Sequence, residues 1–204
     1  MARDVKIVRL GRVAMFADPL EKNGKAPKLE FSLRGQYPRI NVYTGQDVDN
    51  DDSFSNNIAA PMDAKALYIL LDAIEKAAVN DTDAKLSMEC WSHKYVDGKP
   101  TEEKIIVGTV VCGRDDDGVM YLTVTEENKP TILFKYIISD YTRLRTPEGQ
   151  LSKRSASNLV AKWSVKLLRN LYDKLLTNNV LNDAENHSTT VTYTNAPDTI
   201  IKTI

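Results

Sequence analysis

Two histidines and two cysteines in 204 residues leave little material for the common catalytic chemistries. A Ser-His or Cys-His nucleophile pair needs an imidazole base, and of the two histidines only His93 lies outside the polar C-terminal stretch that holds His187. A closed zinc site needs four ligands. Cys90 and His93 have C-x-x-H spacing, with Cys112 as a third candidate, but strand alternation would send Cys90 and His93 to opposite faces. Two cysteines are too few for a disulfide framework, and the N-terminal residues form no secretory apolar core, so reduced thiols in the cytoplasm are expected, the host cytoplasm if the chain is viral. No P-loop and no G-x-G-x-x-G occurs. No apolar run is long enough to cross a membrane. Neither sign of charge is in excess, with 27 Lys and Arg against 28 Asp and Glu. That balance excludes a protein that coats nucleic acid by bulk charge, and it leaves local basic surfaces balanced by acidic loops. The expectation is a non-enzymatic chain with no cofactor, no metal and no membrane partner.

One acidic loop deserves a test of its own. Asp47, Asp49 and Asp51 stand at positions 1, 3 and 5 of a calcium loop, but Asp52 replaces the turn glycine and Ile58 the bidentate glutamate. The EF-hand reading fails on both, and a solvated loop is expected.

What is present is an alternation of strands and helices. Val5 to Phe16 reads as a strand, and Pro19, Gly24 and Pro27 mark a loop. Lys28 to Arg34 alternates, with Leu29, Phe31 and Leu33 inward and Lys28, Glu30, Ser32 and Arg34 outward. Arg39 to Thr44 repeats the pattern, with Ile40 and Val42 inward, as one arm of a hairpin with an open face. A polar loop from Gln46 to Ala60 ends at Pro61, and a helix follows from Met62 to Val79 on the stripe Leu67, Leu70, Leu71, Ile74 and Ala78.

The second half repeats the order. Lys85 to Tyr95 alternates, the turn Val96 to Pro100 follows, and Glu103 to Cys112 reads as a central strand. Gly113 to Gly118 is a hairpin loop, Val119 to Thr125 returns, and another strand starts at Thr131. A second helix spans Ser155 to Thr177 on the stripe Ala156, Val160, Trp163, Leu167, Leu171 and Leu175, widened by Leu168. The residues from 178 to 204 read as a polar tail or a late edge strand. The class is α+β: two antiparallel β-β-β(-β)-α units, about 1–81 and 82–177, each followed by a long amphipathic helix, in a single domain over 1–177.

From Arg143 to Lys174 eight basic residues stand against Glu148 and Asp173, the strongest positive segment of the chain. Outward faces also carry rings and bases together, a combination suited to single-stranded nucleic acid: rings stack on bases, and Arg or Lys follows the backbone. The expected binding residues are Arg34, Arg39, Tyr43, Trp91, Lys94, Tyr95, Tyr121, Lys135, Arg143, Arg145, Lys153 and Arg154. The backbone is expected to cross the connection that holds the last four.

Two strand-rich blocks, each closed by a helix, with rings and bases on the open sheet face, resemble the PC4/Whirly family of single-stranded DNA-binding folds. The resemblance covers Val5 to Thr177 and rests on architecture; the lysine-rich signature of plant Whirly proteins is missing. It implies single-stranded DNA as partner in preference to RNA, association into a homo-oligomer, and a role in replication, recombination or transcription. The size and texture are also similar to phage-encoded single-stranded DNA-binding proteins, though their acidic tail is absent. The alternatives are an RNA-binding protein, or a phage structural or host-interaction module docking protein through the same open face.

Overall fold

In a computed structural model, the protein is described over residues 7–20, 22, 24–45, 57–83, 85–139, 142, 144–188, 192–193 and 200–201, with side chains up to 177 apart from Arg12. The first half gives β1 (Ile7–Arg9), a 3-10 turn (Gly11–Val13), β2 (Met15–Phe16), β3 (Lys28–Arg34), β4 (Tyr37–Tyr43), β5 (Ile58–Pro61) and α1 (Ala64–Val79). The second gives β6 (Leu86–Val96), β7 (Lys99–Arg114), β8 (Met120–Thr125), β9 (Phe134–Lys135), β10 (Arg145–Thr146), β11 (Gly149–Gln150) and α2 (Lys153–Ser188). β12 (Thr192–Tyr193) and β13 (Ile200–Ile201) pair only with each other. The class is α+β with antiparallel sheets and two helices. Sheet one runs β1-β3-β4-β5 with β2 also on β3, and sheet two runs β6-β7-β8-β9.

Both sheets and both helices bury one continuous core. Leu29, Phe31, Leu33, Ile40 and Val42 from sheet one and Val110, Leu122, Val124 and Phe134 from sheet two are closed over by Leu67, Leu71, Ile74, Ala161, Val165 and Leu168. α1 starts where Asp63 caps it, its Oδ1 accepting from the Ala66 N–H at 2.7 Å. Ser152 does the same for α2: its Oγ accepts from the Ser155 N–H at 3.1 Å and its carbonyl from the Ala156 N–H at 2.9 Å. α2 therefore begins two residues before the predicted Ser155, and it continues past Thr177. It bridges the two sheets. Ser157 Oγ accepts from the Met120 N–H at 2.8 Å in sheet two, and the Tyr172 hydroxyl donates to the Ser32 carbonyl at 3.0 Å in sheet one.

Several expectations need correction. The stripe of α2 is Ser157, Ala161, Val165, Leu168 and Tyr172, and Trp163 is 66% exposed. Trp163 lies two residues from both Ala161 and Val165, about 200° round the helix; Val160, Leu171 and Leu175 of the predicted stripe pack against the core half-buried, and Tyr172 is the ring that faces the sheets. The predicted first strand is broken in two by the 3-10 turn. Residues 58–61, predicted as the end of a loop, form β5: Ile58 and Ala60 are buried, and Pro61 sits at the end of an edge strand, where no ladder donor is needed. The strand predicted from Thr131 pairs over only two residues, with the Tyr136 N–H donating separately to the Met120 carbonyl at 2.8 Å. The acidic loop at 46–56 lies outside the described residues. Among the described residues no helix is long and apolar enough to cross a membrane.

Candidate nucleic-acid interface

β3 and β4 are in a register that pairs Lys28 with Tyr43, Glu30 with Asn41, Ser32 with Arg39 and Arg34 with Tyr37. Period-two alternation predicts all of these except Tyr37 on an open face. The structure closes half of it. Glu30 is 2% exposed and Ser32 1% exposed. Gly11 of the 3-10 turn lies against the Glu30 carboxylate, and Asn41 Nδ2 donates to Ser32 Oγ at 2.8 Å. Lys28 Nζ holds Glu30 at 3.1 Å and stands 5.7 Å from the centre of the Tyr43 ring, so Tyr43 is half-buried with a cation already over it. Arg34, Tyr37 and Arg39 remain open to a ligand. Tyr37 is well exposed and was missed by the sequence reading, which left it inside a turn.

Arg39 is the outlier of this face. It is half-buried, its Nε is occluded without a hydrogen-bond partner, and among the described residues no carboxylate pairs with it. Burial first, and then the neighbouring Arg34, lower its pKa from the ordinary arginine value. Its side chain lines a groove of about 350 Å³ between the sheets, with Ala59 and Pro61 on its own side and Ser92, Ile105, Ile106 and Val107 opposite. Glu126 and Lys129, paired at 2.9 Å, also line it.

The opposite wall belongs to an arm. Asp97 and Gly98 both adopt positive φ, 52° and 75°, giving the tight two-residue turn that joins β6 to β7. Beyond Cys90 and Gly108 the two strands run on with exposed side chains on both faces. Trp91, opposite Ile106, is 53% exposed, and Tyr95, opposite Pro100, is 63% exposed. Alternation places both rings on the face away from Ser92 and the groove. Lys94 is on the arm but is paired with Glu103 at 2.9 Å. Lys94, Lys99 and Lys104 are matched by Asp97, Glu102 and Glu103, so the arm is electrically neutral. Cys90 faces the core while His93 is exposed, its Nδ1 2.8 Å from the Thr101 carbonyl oxygen.

The remaining candidates lie elsewhere. Tyr121 lies flat over Gly113, where a Cβ would come within 3.1 Å of the phenol oxygen. Its cross-strand neighbour Lys135 is paired with Asp115 at 2.7 Å. Burial pushes the Asp115 carboxyl up, but Lys135 and the Val119 and Asp117 N–H groups outweigh it and hold the carboxyl below its ordinary range. Lys153 pairs with Asp117 at 2.8 Å, and Arg154 with Asp81 at 2.7 Å and Asp83 at 2.9 Å. Two of the four bases of the connection expected to carry the backbone, Lys153 and Arg154, are thus paired within the fold, by acids distant in sequence. Lys135 and Lys153 do share a cleft of about 550 Å³ with Asp117, Tyr136 and Leu151. Arg145 is exposed on the β10–β11 ladder, and Arg143 lies outside the described residues. From Ile106 to Gly113 along β7 is roughly 23 Å at about 3.3 Å per residue, so Trp91 and Tyr121 do not form one platform.

No family model matches the chain, and no curated protein matches it. A solved structure of MRP1/MRP2 from Trypanosoma brucei aligns at 10% sequence identity over 81% of this chain and 97% of that one, with a TM-score of 0.33. Likeness at that level carries no argument about fold or function.

Proposed function

We propose that the chain is a non-enzymatic single-stranded nucleic-acid-binding protein of PC4/Whirly-like architecture, with DNA preferred to RNA. The observation that carries the reading is Arg39. A half-buried guanidinium with no counter-ion among the described residues, beside a second arginine, bears a desolvation cost that an anionic ligand would offset. The groove it lines is open and mixed in character, with Asn57, Ser92 and Lys129 beside Ala59, Pro61 and Ile105. In this reading Arg34 and Arg39 hold phosphates and Tyr37 stacks on the same face, while Trp91 and Tyr95, which face away from the groove, offer rings only to a strand that turns round the arm.

The test is fluorescence anisotropy with labelled oligo-dT and the full chain, across a salt series. Each lost phosphate contact should lower the slope of log K against log salt by about 0.7. Arg39→Ala should do so and weaken binding about tenfold or more. Absent binding, or affinity that is flat with salt, would sink the proposal, as would an Arg39→Ala variant that binds like the parent. Competition between matched DNA and RNA oligomers settles the preference, because no side chain in the groove is placed to report on a 2′-hydroxyl. A second reading, a protein-docking module, is favoured by one observation: the arm is electrically neutral and leaves Trp91, Tyr95, Val96, Ile105 and Ile106 exposed.

A further inference from the structure

β6 is an edge strand. It ends the order of sheet two, and among the described residues no backbone hydrogen bond joins its outer side to the rest of the chain. Natural edges are blunted by shortness, proline, bulges or inward charge. β6 is 11 residues long and contains no proline. Its pairing with β7 is irregular at two places, between Cys90 and Trp91 and between His93 and Tyr95, and in both the extra residues belong to β7. The open side of β6 therefore keeps an uninterrupted ladder of donors and acceptors.

We infer that this edge pairs with β6 of a second copy of the chain, antiparallel, across a two-fold axis at Trp91. The register follows from length. Trp91 is the midpoint of Leu86–Val96, so only a pairing centred there engages the full strand and provides about ten backbone hydrogen bonds. In that register Glu89 stands opposite His93 of the second copy, a carboxylate facing an imidazole, and Ser87 stands opposite Tyr95. On the other face Leu86 meets Val96 and Met88 lies along the Lys94 stem. Strand and complement are the same sequence, as an isologous contact demands. The contact joins the two second sheets into one and leaves the Trp91 rings side by side on its outer face.

The test uses the full chain without nucleic acid, so its outcome is independent of strand binding. Sedimentation equilibrium should show a dimer. Directly opposed residues of an antiparallel pair have Cα atoms about 4.5–5.5 Å apart, within disulfide range. Trp91→Cys should therefore give a covalent dimer under mild oxidation, while Lys99→Cys and the parent, whose Cys90 and Cys112 are buried, should not. Glu89→Lys should weaken the dimer at least tenfold, and adding His93→Glu should restore it. A monomer at about 100 µM overturns the inference. So does a dimer in which Trp91→Cys fails to cross-link, since another surface would then hold it.

Discussion

Replacing Arg114 by leucine should cost about 3 kcal/mol of stability, a large share of what holds a domain together. Its side chain is 4% exposed and sits where β7 ends between the two helices. Nε donates to the Thr82 carbonyl at 2.8 Å and Nη1 to the Gly118 carbonyl at 2.8 Å. Nη2 reaches the Ala77 carbonyl at 3.1 Å and Asn158 Oδ1 at 2.8 Å. One planar fork thus ties the last turn of α1 to the first turns of α2 and to the β7–β8 loop. Leucine keeps much of the volume but leaves these acceptors without donors, and orphaning buried partners of a charged group costs about 3–5 kcal/mol. The lower end applies because Asp81 and Asp83 are exposed and keep Arg154. At about 2–4 °C per kcal/mol for a chain of this size, the melting temperature should fall by about 6–12 °C. Arg114→Lys retains charge but cannot span three carbonyls, so it should recover less than half of the loss. The assay is thermal unfolding followed by circular dichroism at 222 nm, with Lys104→Ala on the exposed arm as a control that should stay within about 1 °C. An Arg114→Leu melt within 2 °C of the parent would refute the assignment of this residue as the clamp.

Three contrasts test other parts of the structure. The Tyr136 hydroxyl is buried with no partner among the described residues and that of Tyr172 donates to Ser32, so in urea melts Tyr136→Phe should gain up to about 1 kcal/mol where Tyr172→Phe loses about 1 kcal/mol. Gly45 and Gly98 share φ of +75°, but a Cβ on Gly45 would lie 2.2 Å from the Lys25 carbonyl oxygen while Gly98 faces open space. Gly45→Ala should therefore cost about 3 kcal/mol and Gly98→Ala about 1 kcal/mol by the same melts. Asp115 has a carboxyl held below its ordinary range in the fold, so its contribution is present above the unfolded pKa and is lost as pH falls through the folded one. Asp115→Asn should be less stable at neutral pH and lose less on acidification; parallel acid titrations of both proteins would contradict this.

The elements were legible in the sequence where one face is apolar and the other wet. β3, β4, α1 and β8 begin and end within about two residues of their predicted limits. The rest failed for definite reasons. β5 is short, ends in proline and is preceded by polar residues, so nothing local marks it; its pairing to β4 and burial against sheet two are non-local. Glu30 and Ser32 look solvent-facing because alternation knows nothing of a 3-10 turn folded over them. The predicted α2 stripe is centred one face away from the buried one, because Trp163 anchors it on apolarity while Ser157 and Tyr172, a polar and an amphipathic residue, are the ones buried. Arg114 carries no signal at all, since every acceptor it reaches except Gly118 is at least 31 residues away.

The candidate site fared differently because charge counted along a sequence is not charge offered to a ligand. The segment from Arg143 to Lys174 stands out in the sequence, yet Lys153, Arg154 and Arg169 all find carboxylates in the fold. Arg39 has no such prominence, yet it is half-buried and, among the described residues, pairs with no carboxylate. Arg114 and Arg39 make the same point as a pair. Each is a guanidinium drawn out of water, with its pKa lowered first by burial. Arg114 is surrounded by carbonyls and carboxylates from three elements, so its desolvation is balanced within the chain and its role is structural. Arg39 has, among the described residues, no acceptor for its occluded Nε, and a second arginine stands beside it; in the reading proposed above the balance is made by a ligand. Under the proposed function the ligand that restores it is anionic and reaches the groove lined by Pro61 and Ile105, so the proposal rests on the setting of one arginine more than on the number of basic residues.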